Sequence, residues 1–231
     1  MSAPEPVDAA VAARLEQVRL RIDAAGGDRE LVRIVAVTKG FGPPAALAAL
    51  AAGVADLGEN YADELVAKAA ALAATPAAVP RWHFLGSIQR NKVARLAPHV
   101  ALWQGVDRLE EGVAIARHAP GASVLVEVDT AGVAGRGGVA PADVPRLVSD
   151  LASLGLDVRG LMTVAPPMAA GSEAVGGAFD LVAGLRAELG LAEASMGMTD
   201  DLELAVRHGA TTVRVGRALF GPRPMAPPVP Q

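Results

Sequence analysis

Short apolar runs and stretches of helical character alternate eight times along this chain, and no other feature limits its fold as much. The runs LVRIVAVTK, VADLGEN, RWHFLG, HVALWQGV, ASVLVEVD, LDVRGLMTV, EASMGM and TTVRVG read as strands, mostly apolar and bounded by turn residues. Between them the pattern predicts helices over 45–52, 61–74, 89–96, 108–117, 142–154, 172–189 and 200–208. A further helix precedes the first strand. Val7, Val11, Leu15, Val18 and Ile22 recur at i+4 and i+3 steps and so share one face, with Gly26 and Gly27 as the stop.

Eight βα units in 231 residues fit a closed parallel barrel better than an open doubly wound sheet. No Gly-x-Gly-x-x-Gly opens the helix after the first strand, which counts against a Rossmann site. The expected fold is α/β: a single-domain (β/α)8 TIM-type barrel over 1–221, with the N-terminal helix of 1–27 packed outside it. Residues 222–231 are expected to be a proline-rich disordered tail.

Composition limits the partners. The chain is 52% apolar, but 49 of those residues are alanine, which leaves about 31% for one substantial core. The formal charge is −4 and the basic residues are scattered, so a nucleic-acid partner is not expected. There is no cysteine, hence no disulfide, thiolate metal site or thiol nucleophile. The first residues carry carboxylates and lack a basic segment followed by an apolar one, and the uncharged run 40–55 is broken by Pro43 and Pro44. A cytoplasmic monomer without membrane contact is the expectation.

Of 21 basic residues 18 are arginine, and the lysines are Lys39, Lys68 and Lys92 alone. Lysine is the cation that can lose its proton and attack a carbonyl. Lys39 ends the first strand, at the rim where a (β/α)8 barrel keeps its chemistry. Burial there would lower its pKa, although a lysine that merely escapes to solvent fits that position equally well.

Other strand ends add polar groups. Asn60 follows the second strand and could orient a ring or cap the next helix. His83 lies between Trp82 and Phe84, so by period two it points opposite to both; a satisfied core histidine is the commoner outcome for such a residue. Met162 lies near the mouth after the sixth strand. SMGMTDD sets Ser195, Gly197, Met198 and Thr199 at a strand-to-helix junction, and Gly216 and Arg217 follow the eighth strand, where such barrels commonly bind phosphate. Asp200 and Asp201 would repel a phosphate, yet they suit the first turn of a helix. Arg214 lies two residues before Gly216 and so faces the same side; an internal salt bridge is its alternative role. An amine with a phosphate site suggests a Schiff-base aldolase or bound pyridoxal 5′-phosphate. A cation beside the pyridine nitrogen would keep that ring unprotonated and a poor electron sink.

The ordered motifs AVTK, LGENYADE, RWHFLGSIQRNK, GLMTVAP and SMGMTDDLELAVRHGATTVRVGRALFG resemble the pyridoxal-phosphate homeostasis protein family, the YggS/PROSC type, across nearly the whole chain. That family has the barrel that also forms the N-terminal part of alanine racemase. The resemblance implies pyridoxal phosphate bound covalently as an aldimine on Lys39, a role in vitamin B6 and amino-acid homeostasis, and no robust turnover. It implies that Ser195, Gly216 and the Arg217 backbone hold the phosphate, with Gly197, Met198 and Thr199 nearby. Arg214 would face the pyridine nitrogen, and Asn60 and His83 would line the pocket. Apo forms of pyridoxal-phosphate enzymes are the implied partners, and an amino-acid racemase is the alternative function. Gly40, Phe41 and Gly42 depart from the family's more polar, proline-containing segment, Ile88 from its usual Leu, and Thr199 from its common Ser. The loop TAGVAGRGG, with Arg136, resembles one in which the family usually carries Lys.

Overall fold

The computed structural model describes residues 7–73, 79–132 and 137–223. The loop around Arg136 and the expected tail from 224 onward lie outside the described residues, apart from the loop's edges.

Eight parallel strands close into one barrel in sequence order. They are β1 (Arg33–Val37), β2 (Asp56–Glu59), β3 (Arg81–Phe84), β4 (Val100–Val106), β5 (Ser123–Glu127), β6 (Asp157–Met162), β7 (Glu193–Ser195) and β8 (Thr212–Val215). Closure comes from β1 pairing with β8, Val35 opposite Arg214 and Ala36 opposite Val215. This register brings Lys39, just beyond β1, into the neighbourhood of Gly216, just beyond β8.

The outer layer follows the same order. After α1 (Val7–Ala24) come α2 (Pro43–Ala51), α3 (Ala62–Ala73), α4 (Val93–Leu96), α5 (Leu109–His118), α6 (Val144–Ser153), α7 (Ser172–Glu188), α8 (Leu202–Arg207) and α9 (Arg217–Phe220). Two predicted helices are shorter than expected, because α4 and α6 are each preceded by a single 3-10 turn, at Arg90–Lys92 and Pro141–Asp143. Pro145 cannot donate to a preceding turn, so α6 starts only at Val144.

Period-two alternation divides the strand residues between two cores. Trp82, Phe84, Trp103, Val124, Val126, Leu161, Val213 and Val215 join the main core between sheet and helices. Leu102, Leu125 and Met162 form a small separate cluster inside the barrel. His83 therefore faces inward between two outward aromatics, as its spacing predicts.

The helix of the last βα unit, α9, is one turn long. α1 packs beside it, lying against α2, α8 and α9. Its predicted stripe is the buried one: Val11, Leu15, Val18 and Ile22 are at most 2% exposed, each worth about 1.5–3 kcal/mol by transfer from water. Arg14 donates to the Leu219 carbonyl at 3.2 Å, and Arg21 makes a bidentate pair with Glu203 at 2.6 and 2.7 Å.

Candidate functional site

At the C-terminal rim of the barrel lies a cavity of about 370 Å³, within the usual range for small ligands. Lys39, Asn60, Met162, Met198, Thr199, Arg214, Gly216 and Arg217 line it, so eight of the eleven residues expected at a binding site come together. Val37, Phe41, Leu85, Val164, Asp200, Gly221 and Arg223 complete the wall.

Lys39 is half-buried, and its pKa lies below the ordinary lysine value. Burial is the main cause, reinforced by the positive charges of Arg223 and Arg214 and opposed by Glu59. A larger share of this amine is thus unprotonated at a given pH than for a lysine in water.

Arg214 is 5% exposed. Its Nη1 donates to the Ser195 carbonyl at 2.7 Å and to Ser195 Oγ at 2.8 Å, while Nη2 donates to the Thr163 carbonyl at 2.7 Å. Burial lowers its pKa to about 10, against the attraction of Glu127 and Asp201. It is therefore a fixed cation at neutral pH, aimed by neutral acceptors, and the salt bridge considered as its alternative role is not formed.

Ser195 and His83 do not line the cavity. They lie deeper in the barrel, in a chain of buried hydrogen bonds that fixes Arg214. Ser195 Oγ donates to Gln104 Oε1 at 2.6 Å, and Gln104 Nε2 meets His83 Nδ1 at 2.6 Å. His83 Nε2 meets Asp56 Oδ1 at 2.9 Å, and Asp56 also takes two hydrogen bonds from Arg81. With the Gln104 oxygen accepting from Ser195, its amide must donate to Nδ1, so His83 carries its proton on Nε2. Burial opposes the charge on Asp56, but Arg81 and His83 outweigh it and hold the carboxyl below its usual range.

The corner formed by the last two βα loops is shaped by small residues. Gly197 has φ +91°, and a Cβ there would lie 2.4 Å from the Cβ of Ala205. It stays outside the cavity wall and sets the turn that presents Met198 and Thr199. A Cβ on Gly216 would lie 3.1 Å from the Val37 carbonyl oxygen. Thr199 is held by Arg21, which donates to its carbonyl at 2.8 Å, and by the Ala218 N–H, which reaches its Oγ1 at 3.3 Å. Arg217 pairs with Asp200, which offsets the repulsion that this carboxylate would offer an anion.

Several contributors escape a reading of strand ends. Gln104 is signalled only as a polar residue at an inward position of an apolar strand. Arg223 belongs to the expected tail, yet it lines the cavity. Glu127, the inward residue at the end of β5, has its pKa raised to about 7 by burial and by Asp107, with Arg214 opposing. Among the described residues no group of three or more potential ligands is arranged to hold a metal, and no helix is long and apolar enough to cross a membrane.

Fold and rim together define a (β/α)8 barrel of the alanine racemase N-terminal class, with a lysine just beyond the first strand and a buried guanidinium facing one cavity. The family model for "Alanine racemase, N-terminal domain" matches residues 9–224. The pyridoxal phosphate homeostasis protein of Pseudomonas aeruginosa is 40% identical, covering 95% of this chain and 96% of that one. The protein of the same name from Deinococcus radiodurans is 39% identical, covering 91% and 99%. Among solved structures, PipY of Synechococcus elongatus with pyridoxal phosphate bound is similar at a TM-score of 0.75 and 31% identity, covering 91% of this chain and all of that one. The chain belongs to the pyridoxal phosphate homeostasis protein family.

Proposed function

We propose that this protein binds pyridoxal 5′-phosphate in the rim cavity, covalently through Lys39, and serves to store and release it rather than to turn over a substrate. The observation that carries this reading is the sharing of one cavity by a lysine of lowered pKa and a guanidinium that no carboxylate touches. Family membership and the cofactor in PipY support it.

The residues present fit such a group. Asn60 Oδ1 is buried without a partner and is free to accept a hydrogen bond. Gly216 keeps the wall open where a side chain would meet Val37, and Thr199, Arg217 and Arg223 supply a hydroxyl and two cations suited to a phosphate. Phe41 and Met162 offer apolar surface to a ring. When bound, the cofactor supplies an aldehyde that condenses with an amine, releasing water, and a ring that withdraws electrons once its nitrogen is protonated. Arg214, facing that nitrogen, would disfavour its protonation and so restrain Cα chemistry. The protein is accordingly read as a cytoplasmic monomer that exchanges its cofactor with apo-enzymes.

Borohydride reduction followed by intact-mass and peptide analysis tests the attachment. One adduct on Lys39, absent from Lys39→Ala, is expected; an adduct retained by that variant overturns it. Incubation with L- and D-amino acids in deuterated water tests the carrier role. Sustained exchange at Cα at enzyme-like rates, about 1 s⁻¹ or faster, would contradict it.

A further inference from the structure

Lys39 is flanked by a buried ion cluster that forms no part of the cavity wall. Lys68, on α3, is 3% exposed, and Glu59, the last residue of β2, is fully buried. Lys68 Nζ donates to Glu59 Oε1 at 2.5 Å, to Glu64 Oε2 at 3.0 Å and to the Thr38 carbonyl at 2.8 Å. Thr38 Oγ1 also donates to Glu59 Oε1, at 2.6 Å, and the Gly40 N–H donates to Glu64 Oε2 at 2.9 Å. Thr38, before Lys39, is thus tied to Lys68 and Glu59, and Gly40, after it, to Glu64, with Lys68 joining the two carboxylates.

An ammonium has three donors, and all three are used here. The Lys68 amine is engaged by two carboxylates and a carbonyl and lies outside the cavity wall, so it is not a competing nucleophile. Burying such a pair is a weak route to stability, because desolvation offsets most of the attraction and an apolar pair of similar size would serve as well. What the cluster adds is geometry. β1 ends at Val37, Gly40 turns the chain at φ +75°, and Lys39 lies between them.

We propose that Lys68, with Glu59 and Glu64, is a positioning device for Lys39, fixing the Thr38 carbonyl and the Gly40 N–H so that the Lys39 amine points into the cavity before a ligand arrives. This rests on the reading of Lys39 as the point of attachment. Glu59 and Glu64 act through the backbone and through Lys68; none of the three touches the ligand.

The test follows the rate of covalent adduct formation with pyridoxal phosphate, by absorbance and by borohydride trapping. It uses the unmodified protein, Glu64→Ala, Glu64→Gln and the double variant Lys68→Met with Glu59→Met, with thermal unfolding recorded in parallel. The Glu64 side chain is 34% exposed, so its variants should fold, and the double variant leaves no buried charge unpaired. Glu64→Ala and the double variant should each react about tenfold more slowly, as expected for a misplaced reacting group. Glu64→Gln, which can still accept from Gly40, should react within about twofold of the unmodified protein while unfolding at a similar temperature. Failure of the unmodified protein to form an adduct would refute the attachment itself. The positioning role is overturned if Glu64→Ala reacts as fast as the unmodified protein, if Glu64→Gln is as slow as Glu64→Ala, or if a folded double variant reacts normally.

Discussion

Arg214 shows how a buried charge can be held for use rather than neutralised. Its contacts are two carbonyls and a hydroxyl, and that hydroxyl is fixed in turn by Gln104, His83 and Asp56. A glutamate at this position would face the same acceptors without a donor, so Arg214→Gln is the cleaner probe of the charge. It should weaken cofactor binding about tenfold or more, the loss of a charged hydrogen-bond donor being worth about 1.5–3 kcal/mol, and equilibrium titration measures this. Glu127 makes a second prediction at this scale. Its folded pKa of about 7 exceeds the unfolded value, so the native state binds more protons in that window. The protonated acid contributes stability fully below the unfolded value, and that contribution is lost as pH rises through about 7. Unfolding temperatures of the unmodified protein and Glu127→Gln should therefore match near pH 4, diverge as pH rises toward 7 and stay apart above it, the variant being more stable by about 2–3 kcal/mol at pH 8. Equal temperatures at both ends of the range would show that the carboxyl is not perturbed. Lys39 and Arg214 were legible in the sequence because a strand end and a period of two suffice to place them. Lys68 was not, because its partners come from the residue after β1, from β2 and from α3, and meet only in space.

Among the elements, α1 is the one whose sequence states its role most clearly. Its stripe of Val11, Leu15, Val18 and Ile22 is buried, and the helix lies against α2, α8 and the one-turn α9. Leu15→Ala should cost about 2–5 kcal/mol, a core truncation with little room to collapse, measurable by chemical denaturation. Arg21→Ala removes a partly exposed pair with Glu203 and should cost about 1 kcal/mol or less. It also frees the Thr199 carbonyl, so cofactor release should quicken more than stability falls. The lengths of α4 and α6 were less legible than their existence, because a 3-10 turn and an α-helical turn share nearly the same apolar spacing. The place of Arg223 was missed for a different reason: proline-rich composition describes the end of the chain but not where its first residues dock.

At the scale of the whole molecule, sequential closure of the barrel is what makes the site. Without the β1–β8 seam, Lys39 and Gly216 would stand at opposite edges of an open sheet, and the eightfold alternation alone implied that they meet. The alternation did not imply which inward residues form the wall and which lie beneath it. Ser195 and His83 share the inward face with Arg214 but lie a layer deeper, a distinction that depends on barrel stagger rather than on alternation. The central claim is that Lys39 holds pyridoxal phosphate in this cavity. Its most direct test is the absorption spectrum of the protein mixed with pyridoxal phosphate and passed through a desalting column, for the unmodified chain and for Lys39→Ala. A retained visible band in the unmodified chain that is lost in the variant is the predicted result. The same band in both, or in neither, would contradict it.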